Sequence, residues 1–185
     1  MSDLFVDESR DIDASAAHIF SIVSDPAMHP DIDGTGMLRS AAENQVMSKV
    51  GDVFFMSMTH WDRGNYVMEN HVVEFEQDRR IAWEPVAQVS EKGDFDSTDR
   101  FAEPRWWGWQ LKPLSDDRTR VTEFYECSRL SDRLREFIKN GEFWRPAMVT
   151  SLENLERLAT KRDGKALEGD QSETASQFAE LFQGD

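Results

Sequence analysis

The chain has 185 residues, with 21 Lys and Arg against 36 Asp and Glu, a formal net charge of −15. That length holds one domain with a sizeable core and is short for two, and so acidic a surface repels phosphate backbones and anionic headgroups, which excludes nucleic-acid binding driven by phosphate contacts. Hydrophobic residues are 39% and aromatics 11% of the chain, a globular composition, and no apolar run approaches the ~20 residues that span a bilayer.

Residues 3–12 read as a strand. Asp13-Ala14-Ser15 then precedes Ala16, Ala17, Ile19, Phe20, Ile22 and Val23, an apolar stripe at helical spacing behind a capping residue. Pro26 and Pro30 stop that helix and force a turn or a very short second helix. Asp33-Gly34-Thr35-Gly36 reads as a flexible loop. Strands are predicted at 37–42, 53–60, Tyr66 to Glu76 and Arg79 to Val86, where Val, Phe, Tyr and Trp are enriched. Residues 87–103 are polar and read as a long surface loop. Strands resume at Trp106–Lys112 and Thr119–Cys127, joined by Pro113-Leu114-Ser115-Asp116-Asp117.

Ser131 caps a predicted short helix through Ile138, which Asn140-Gly141 breaks. A longer helix runs from about Trp144 to Lys161, with Trp144, Met148, Leu152, Leu155 and Ala159 on one face and Pro146 in the first turn. These elements assign residues 1–162 to one domain. Residues 163–185 carry six acids and one lysine and read as an acidic, mobile tail. Consecutive strands joined by short loops imply an antiparallel sheet, and the final helix makes the class α+β rather than doubly wound.

Alternation along the strands decides which side chains meet. Asp62-Arg63-Gly64-Asn65 is a hairpin turn. With a two- or four-residue loop, His60 faces Val67, Met58 faces Glu69, Met56 faces His71 and Phe54 faces Val73. One face then carries Phe54, Met56, Met58, His60, Val67, Glu69, His71, Val73 and Phe75, and its apolar content assigns it to the interior. The same alternation groups Ile81 with Trp83, Trp107 with Trp109 and Leu111, and Val121 with Glu123, Tyr125 and Cys127. A few polar groups among large apolar walls is the composition of a small-molecule cavity.

In these residues the chain resembles the START-like, helix-grip superfamily (SRPBCC), in its polyketide cyclase/dehydratase branch. The resemblance is carried by residues 12–26 and 28–36 as the first strand-end and two helices. It continues in Arg79-Arg80-Ile81-Ala82-Trp83, in Trp109-Gln110-Leu111-Lys112-Pro113 with Thr119-Arg120-Val121-Thr122, and in residues 151–158 as the gripping helix. It implies a curved antiparallel sheet of six to seven strands wrapped on the last helix, with a cavity between them. Members bind or transform lipids, polyketides and other hydrophobic compounds, and no catalytic residue set is transferable from the branch.

The residues support three readings of function. In the first, a hydrophobic or aromatic small molecule sits in the cavity, lined by Met56, Met58, Trp83, Trp107, Trp109, Glu123 and Tyr125. In the second, His60 or His71 with Glu69 acts as a general base in a cyclisation or dehydration, with Tyr125 as hydrogen-bond donor. In the third, outward Trp61 and Trp106 meet a protein partner. Glu123 either fixes a ligand hydroxyl or carbonyl or pairs with an arginine. Arg63 and Arg105 read as surface charges, and Cys127 as a buried small residue. No metal site is assigned, because Asp62 lies in the turn and His60 is diagonal to Glu69. Gly34-Thr35-Gly36 lacks phosphate-loop spacing, and no cofactor is expected. Met1-Ser2-Asp3-Leu4 carries no basic or apolar leader, and one cysteine allows no internal disulfide. A cytoplasmic protein without membrane insertion is therefore expected, with monomer and homodimer both left open.

Overall fold

Seven strands pair antiparallel in one sheet, in the order β1-β7-β6-β5-β4-β3-β2. They are β1 (Phe5–Ile12), β2 (Leu38–Ala41), β3 (Val53–His60), β4 (Gly64–Glu76), β5 (Arg80–Val89), β6 (Trp106–Ser115) and β7 (Arg118–Glu126). The computed structural model describes residues 5–41, 45–60, 64–89 and 103–161. Trp61, Asp62, Arg63, loop residues 90–102 and the acidic tail lie outside the described residues. Between β1 and β2 come α1 (Ala16–Val23), a 3-10 turn (Pro26–Met28) and α2 (His29–Ile32). After β7 come α3 (Asp132–Phe137), a second 3-10 segment (Lys139–Trp144) and the long α4 (Arg145–Ala159). The sheet curls around α4, the α+β helix-grip arrangement that the sequence pattern implies.

Local chemistry sets the boundaries. The Ser15 hydroxyl accepts from the His18 N–H at the start of α1, and that of Ser131 from the Leu134 N–H at the start of α3, each satisfying an orphan donor of a first turn. Pro146 occupies the first turn of α4, where its missing N–H is harmless. Three strands are longer than expected, β4 starting at Gly64 rather than Tyr66. β5 continues to Val89, and β6 runs through Pro113 and Leu114 to Ser115, so the turn narrows to Asp116-Asp117.

The β3–β4 register corrects the expected pairing. Met56 lies opposite Met68, Met58 opposite Tyr66 and His60 opposite Gly64, so three residues, 61–63, connect the strands. Gly64 has φ +73°, the left-handed conformation that closes a three-residue hairpin and that glycine adopts without a Cβ penalty. The parity of β4 flips as a result. Tyr66, Met68, Asn70 and Val72 share the inner face with Phe54, Met56 and Met58, whereas Val67, Glu69 and His71 lie on the opposite face. A bulge between Val72 and Glu74 reverses the alternation once more. Phe75 thereby returns inward, opposite Ile81 and edge-on to Phe20 at 5.5 Å.

Across the other strands the inner face forms continuous rows. Val72, Trp83, Trp107, Tyr125 and Val6 make one, and Phe75, Ile81, Trp109, Glu123 and Glu8 the next. Helix α4 covers them with Ala147, Met148, Ser151, Leu152, Leu155 and Ala159, all buried. Two ion pairs tie α4 to β1: Arg145 to Glu8 at 2.6 Å and Arg10 to Glu156 at 2.6 Å. Both are partly exposed, so they align the helix more than they stabilise it. The apolar packing divides in two. A large cluster includes Ile19, Phe20, Phe54, Met56, Trp109, Leu152 and Leu155, and a smaller one gathers Val6, Tyr125, Cys127, Leu130 and Met148 with Trp107 and Trp144 against it.

Segment 33–36 is docked, not free as its composition suggests. The Asp33 carboxylate accepts from the Thr35 N–H (2.8 Å), the Thr35 hydroxyl (2.7 Å) and the Leu38 N–H (2.9 Å). The Gly34 N–H donates to Ser151 Oγ at 3.0 Å. A Cβ on Gly34 would stand 2.0 Å from the Ala147 carbonyl oxygen and 2.7 Å from the Ser151 nitrogen, a clash with helix backbone that no rotamer change relieves. Gly34→Ala is therefore expected to destabilise the fold by about 2–3 kcal/mol, the upper range for overpacking. Thermal or urea unfolding checks this, and a midpoint equal to wild type would contradict the packing.

Candidate binding site on the inner face

The inner rows place Trp83, Trp107 and Trp109 on adjacent strands, with Trp83 directly opposite Trp107. Trp109 is buried, at 3% exposure. Trp83, Trp107, Met58 and Met68 face the same interior and stay only half-buried. Core packing therefore encloses Trp109 more completely than these four side chains. Met56 is fully enclosed, at 2% exposure.

Ring contacts hold the tryptophans in place. Trp83 stacks on His29 (centroids 5.1 Å, 26°), and Phe54 meets both rings edge-on. His29 Nε2–H donates to the Val23 carbonyl at 3.0 Å. Burial lowers the His29 pKa, so this ring is neutral and serves as a wall, not a base. Its position in the short Pro-flanked α2 gave no apolar periodicity by which the sequence could single it out. At the other side Trp107 lies 4.6 Å from Tyr125 and 5.4 Å from Trp144. Burial pushes the Tyr125 phenol up, so it stays protonated; Arg105 beside it opposes that shift. Arg105 is half-buried rather than a surface charge, and loss of hydration lowers its own pKa.

Glu123 lies between the two apolar clusters, opposite Trp109 on β6 and Glu8 on β1. It is 9% exposed. A hydrogen bond from Ser151 reaches its carboxyl group, and the remaining oxygen, Oε2, is buried without a partner. Among the described residues no arginine pairs with it. Removal from water drives its pKa well up, the Ser151 hydrogen bond opposes this, and the nearby Asp33 charge adds to it. Burial therefore favours its carboxylic acid form over the carboxylate. Ser151, inside the polar-looking stretch of α4, was not singled out by the sequence. Its spacing of three from Met148 and four from Leu155 does place it on the buried stripe.

The structure keeps His71 and Glu69 of the expected catalytic group together but parts them from Tyr125. His71 Nε2 and Glu69 Oε1 are 2.6 Å apart, but both are on the face turned away from the tryptophans. His60 ends β3 opposite Gly64, and its side chain is outside the described residues. Trp106, expected to be outward and open, is half-buried with the Arg129 guanidinium 3.9 Å from its ring centroid. Cys127 is fully buried.

No protein-family model matches the chain. A curated relative, an uncharacterised protein of Mycobacterium tuberculosis, is 26% identical over 122 residues, which is 65% of this chain and 46% of that protein. The chain thus spans about half the length of the curated relative it matches. Solved structures with a similar fold include protein Ms6760 of Mycobacterium smegmatis (14% identity, TM-score 0.61, 88% of this chain and 94% of that one). Others are a protein of Arthrobacter aurescens (15%, 0.64, 88% and 89%) and the ginseng major latex-like protein 151 of Panax ginseng (11%, 0.60, 85% and 97%). At these identities the likeness is one of fold. No helix among the described residues is long and apolar enough to cross a membrane.

Two buried titratable groups, His29 and Glu123, set opposite pH limits. His29 takes up a proton more readily when unfolded, so stability falls as pH drops below its ordinary 6.5. Glu123 releases its proton near 4.5 when unfolded but holds it when folded, so its contribution is complete below 4.5 and is lost as pH rises. Glu123→Gln, which cannot ionise, is expected to gain on wild type by about 1 kcal/mol per pH unit above that point, until the folded group titrates. Denaturant unfolding at about pH 5 and about pH 8 measures the gap, and an unchanged difference would show Glu123 ionised in the fold.

Proposed function

We propose that the chain binds a hydrophobic or aromatic small molecule, lipid- or polyketide-like, between the inner face of the sheet and α4. The observation that carries this reading is the incompletely buried aromatic strip. Trp83, Trp107, Met58 and Met68 face the interior yet stay half-buried, although large apolar side chains gain ~25 cal/mol per Å² on complete burial. A ligand laid on them completes that burial. The binding of hydrophobic compounds that the sequence resemblance implies, and the fold shared with the ginseng major latex-like protein 151, agree with it.

A cyclase or dehydratase reading has weaker support. It requires a base within hydrogen-bond reach of the ligand. The Glu69–His71 pair lies on the opposite face of the sheet from the tryptophans, and His29 is held by a backbone carbonyl. On the described inner face Glu8 is paired with Arg145, and the buried groups nearest the tryptophans are Glu123 and Tyr125. They serve orientation better than proton abstraction, because burial keeps both protonated.

Native mass spectrometry of the full chain, as purified and after incubation with naphthalene-type probes, tests the reading. One molecule per chain is expected. Trp107→Ala should weaken binding at least about tenfold through lost apolar contact, whereas His71→Ala on the outer face should leave affinity unchanged. Equal affinity in wild type and Trp107→Ala, or loss of binding in His71→Ala, would overturn the placement.

A further inference from the structure

We infer that the molecule bound on the inner face presents an uncharged hydroxyl or carbonyl oxygen to Glu123, and that this carboxyl selects it over apolar and anionic analogues of the same shape. The inference rests on the binding reading above and adds the chemical class of the ligand.

Its ground is a contrast among buried polar groups. Asp52 accepts from the Ser48 N–H, the Ser48 hydroxyl and the Lys49 N–H. The Thr119 hydroxyl donates to the Ala14 carbonyl, the His29 ring to the Val23 carbonyl, and the Asn70 amide to the Met68 carbonyl. Glu69 holds His71. Among the described residues, the buried side-chain atoms left without a partner are two indole nitrogens, of Trp106 and Trp144, and Glu123 Oε2. A buried carboxyl oxygen with no partner is the costliest of these to keep.

Glu123 is also placed with care. The Gly34 N–H donates to Ser151 Oγ, which leaves the Ser151 proton free to hold the carboxyl. Ser151 itself is fixed on α4, 5% exposed. One oxygen is thus tied by the scaffold, and the other is buried without a partner on the tryptophan-bearing side, opposite Trp109 and two positions from Tyr125 on β7. Preorganisation of this kind suits a ligand group more than a packing role.

The sign of the surroundings narrows the class. Asp33 adds negative potential at Glu123, and Glu8, its neighbour on β1, has its charge taken by Arg145. No cation pairs with Glu123 among the described residues. An anionic ligand head would meet like charge there. The carboxylic acid form offers one O–H donor and acceptor capacity, which matches a hydroxyl or carbonyl oxygen.

The test uses the full chain and three probes of equal shape: 2-naphthol, 2-methylnaphthalene and 2-naphthoate, measured by calorimetry near neutral pH. Comparing wild type with Glu123→Leu, the hydroxyl and the carboxyl are expected to be coupled by about tenfold. That is, 2-naphthol loses about tenfold more affinity than 2-methylnaphthalene on substitution. 2-Naphthoate should bind wild type more weakly than 2-naphthol. Glu123→Gln, which keeps a donor and an acceptor in place, should retain the preference, and it decides the matter if the leucine variant does not fold. Equal losses for both neutral probes, or tighter binding of 2-naphthoate, would overturn the inference while leaving the binding site standing. Failure of all three probes to bind would overturn both.

Discussion

The approach of α4 to the sheet governs this molecule, and it depends on a place where a side chain is missing. Gly34 lies so close to the Ala147 carbonyl that any Cβ would collide with it. With that space available, segment 33–36 seats on α4 through the Gly34–Ser151 hydrogen bond. The other side of the helix is aligned on β1 by Arg145 with Glu8 and Arg10 with Glu156. Apolar burial of Met148, Leu152 and Leu155 supplies the driving force. The polar contacts choose the seat.

The same seat creates the chemical feature of the interior. Bringing Ser151 down onto β7 encloses Glu123 and gives it one hydrogen bond, while Trp109 and the neighbouring rows exclude water. A carboxyl in such surroundings keeps its proton, since charge without a partner cation is disfavoured where hydration is lost. The polar seam formed by Gly34, Ser151 and Glu123 also lies between the two apolar clusters, the larger packed on α1 and Leu155, the smaller around Tyr125 and Met148. A wholly apolar row would merge those clusters. Keeping a carboxyl there trades packing for a directed hydrogen-bonding group, the trade made by sites that recognise something.

Much of this architecture could be read in the residues, because each element carried its own signal. Ser15 and Ser131 marked helix starts, Pro146 a first turn, and the period-two pattern of Val53–His60 a strand whose bounds the structure reproduces. Periodicity also placed Trp83, Trp107, Trp109, Glu123 and Tyr125 on one face. What sequence could not settle was parity across the hairpin. A single residue of loop length decides whether Glu69 and His71 or Met68 and Asn70 look inward, and Asp62-Arg63-Gly64-Asn65 is compatible with more than one length. The left-handed Gly64 resolves it. The bulge at Val72–Glu74 is equally silent in the sequence, yet it keeps Phe75 in the core. Ser151 and Gly34 became legible only in three dimensions, since their roles come from a contact spanning 117 positions of the chain.

The outer placement of His71 changes what the two faces can do. On the face turned away from the tryptophans, Glu69 and His71 form a close pair, with the His71 side chain 39% exposed, and satisfy one another where they stand. On the inner face Glu8 is paired with Arg145, and burial favours the protonated forms of Glu123 and Tyr125, beside a half-buried guanidinium at Arg105. Such a set donates hydrogen bonds and withdraws from proton abstraction. A ligand entering there meets aromatic faces, methionine side chains that adapt to irregular shapes, and donors with fixed positions. Each of those properties bears on the binding reading proposed above, in which a molecule is held in one orientation.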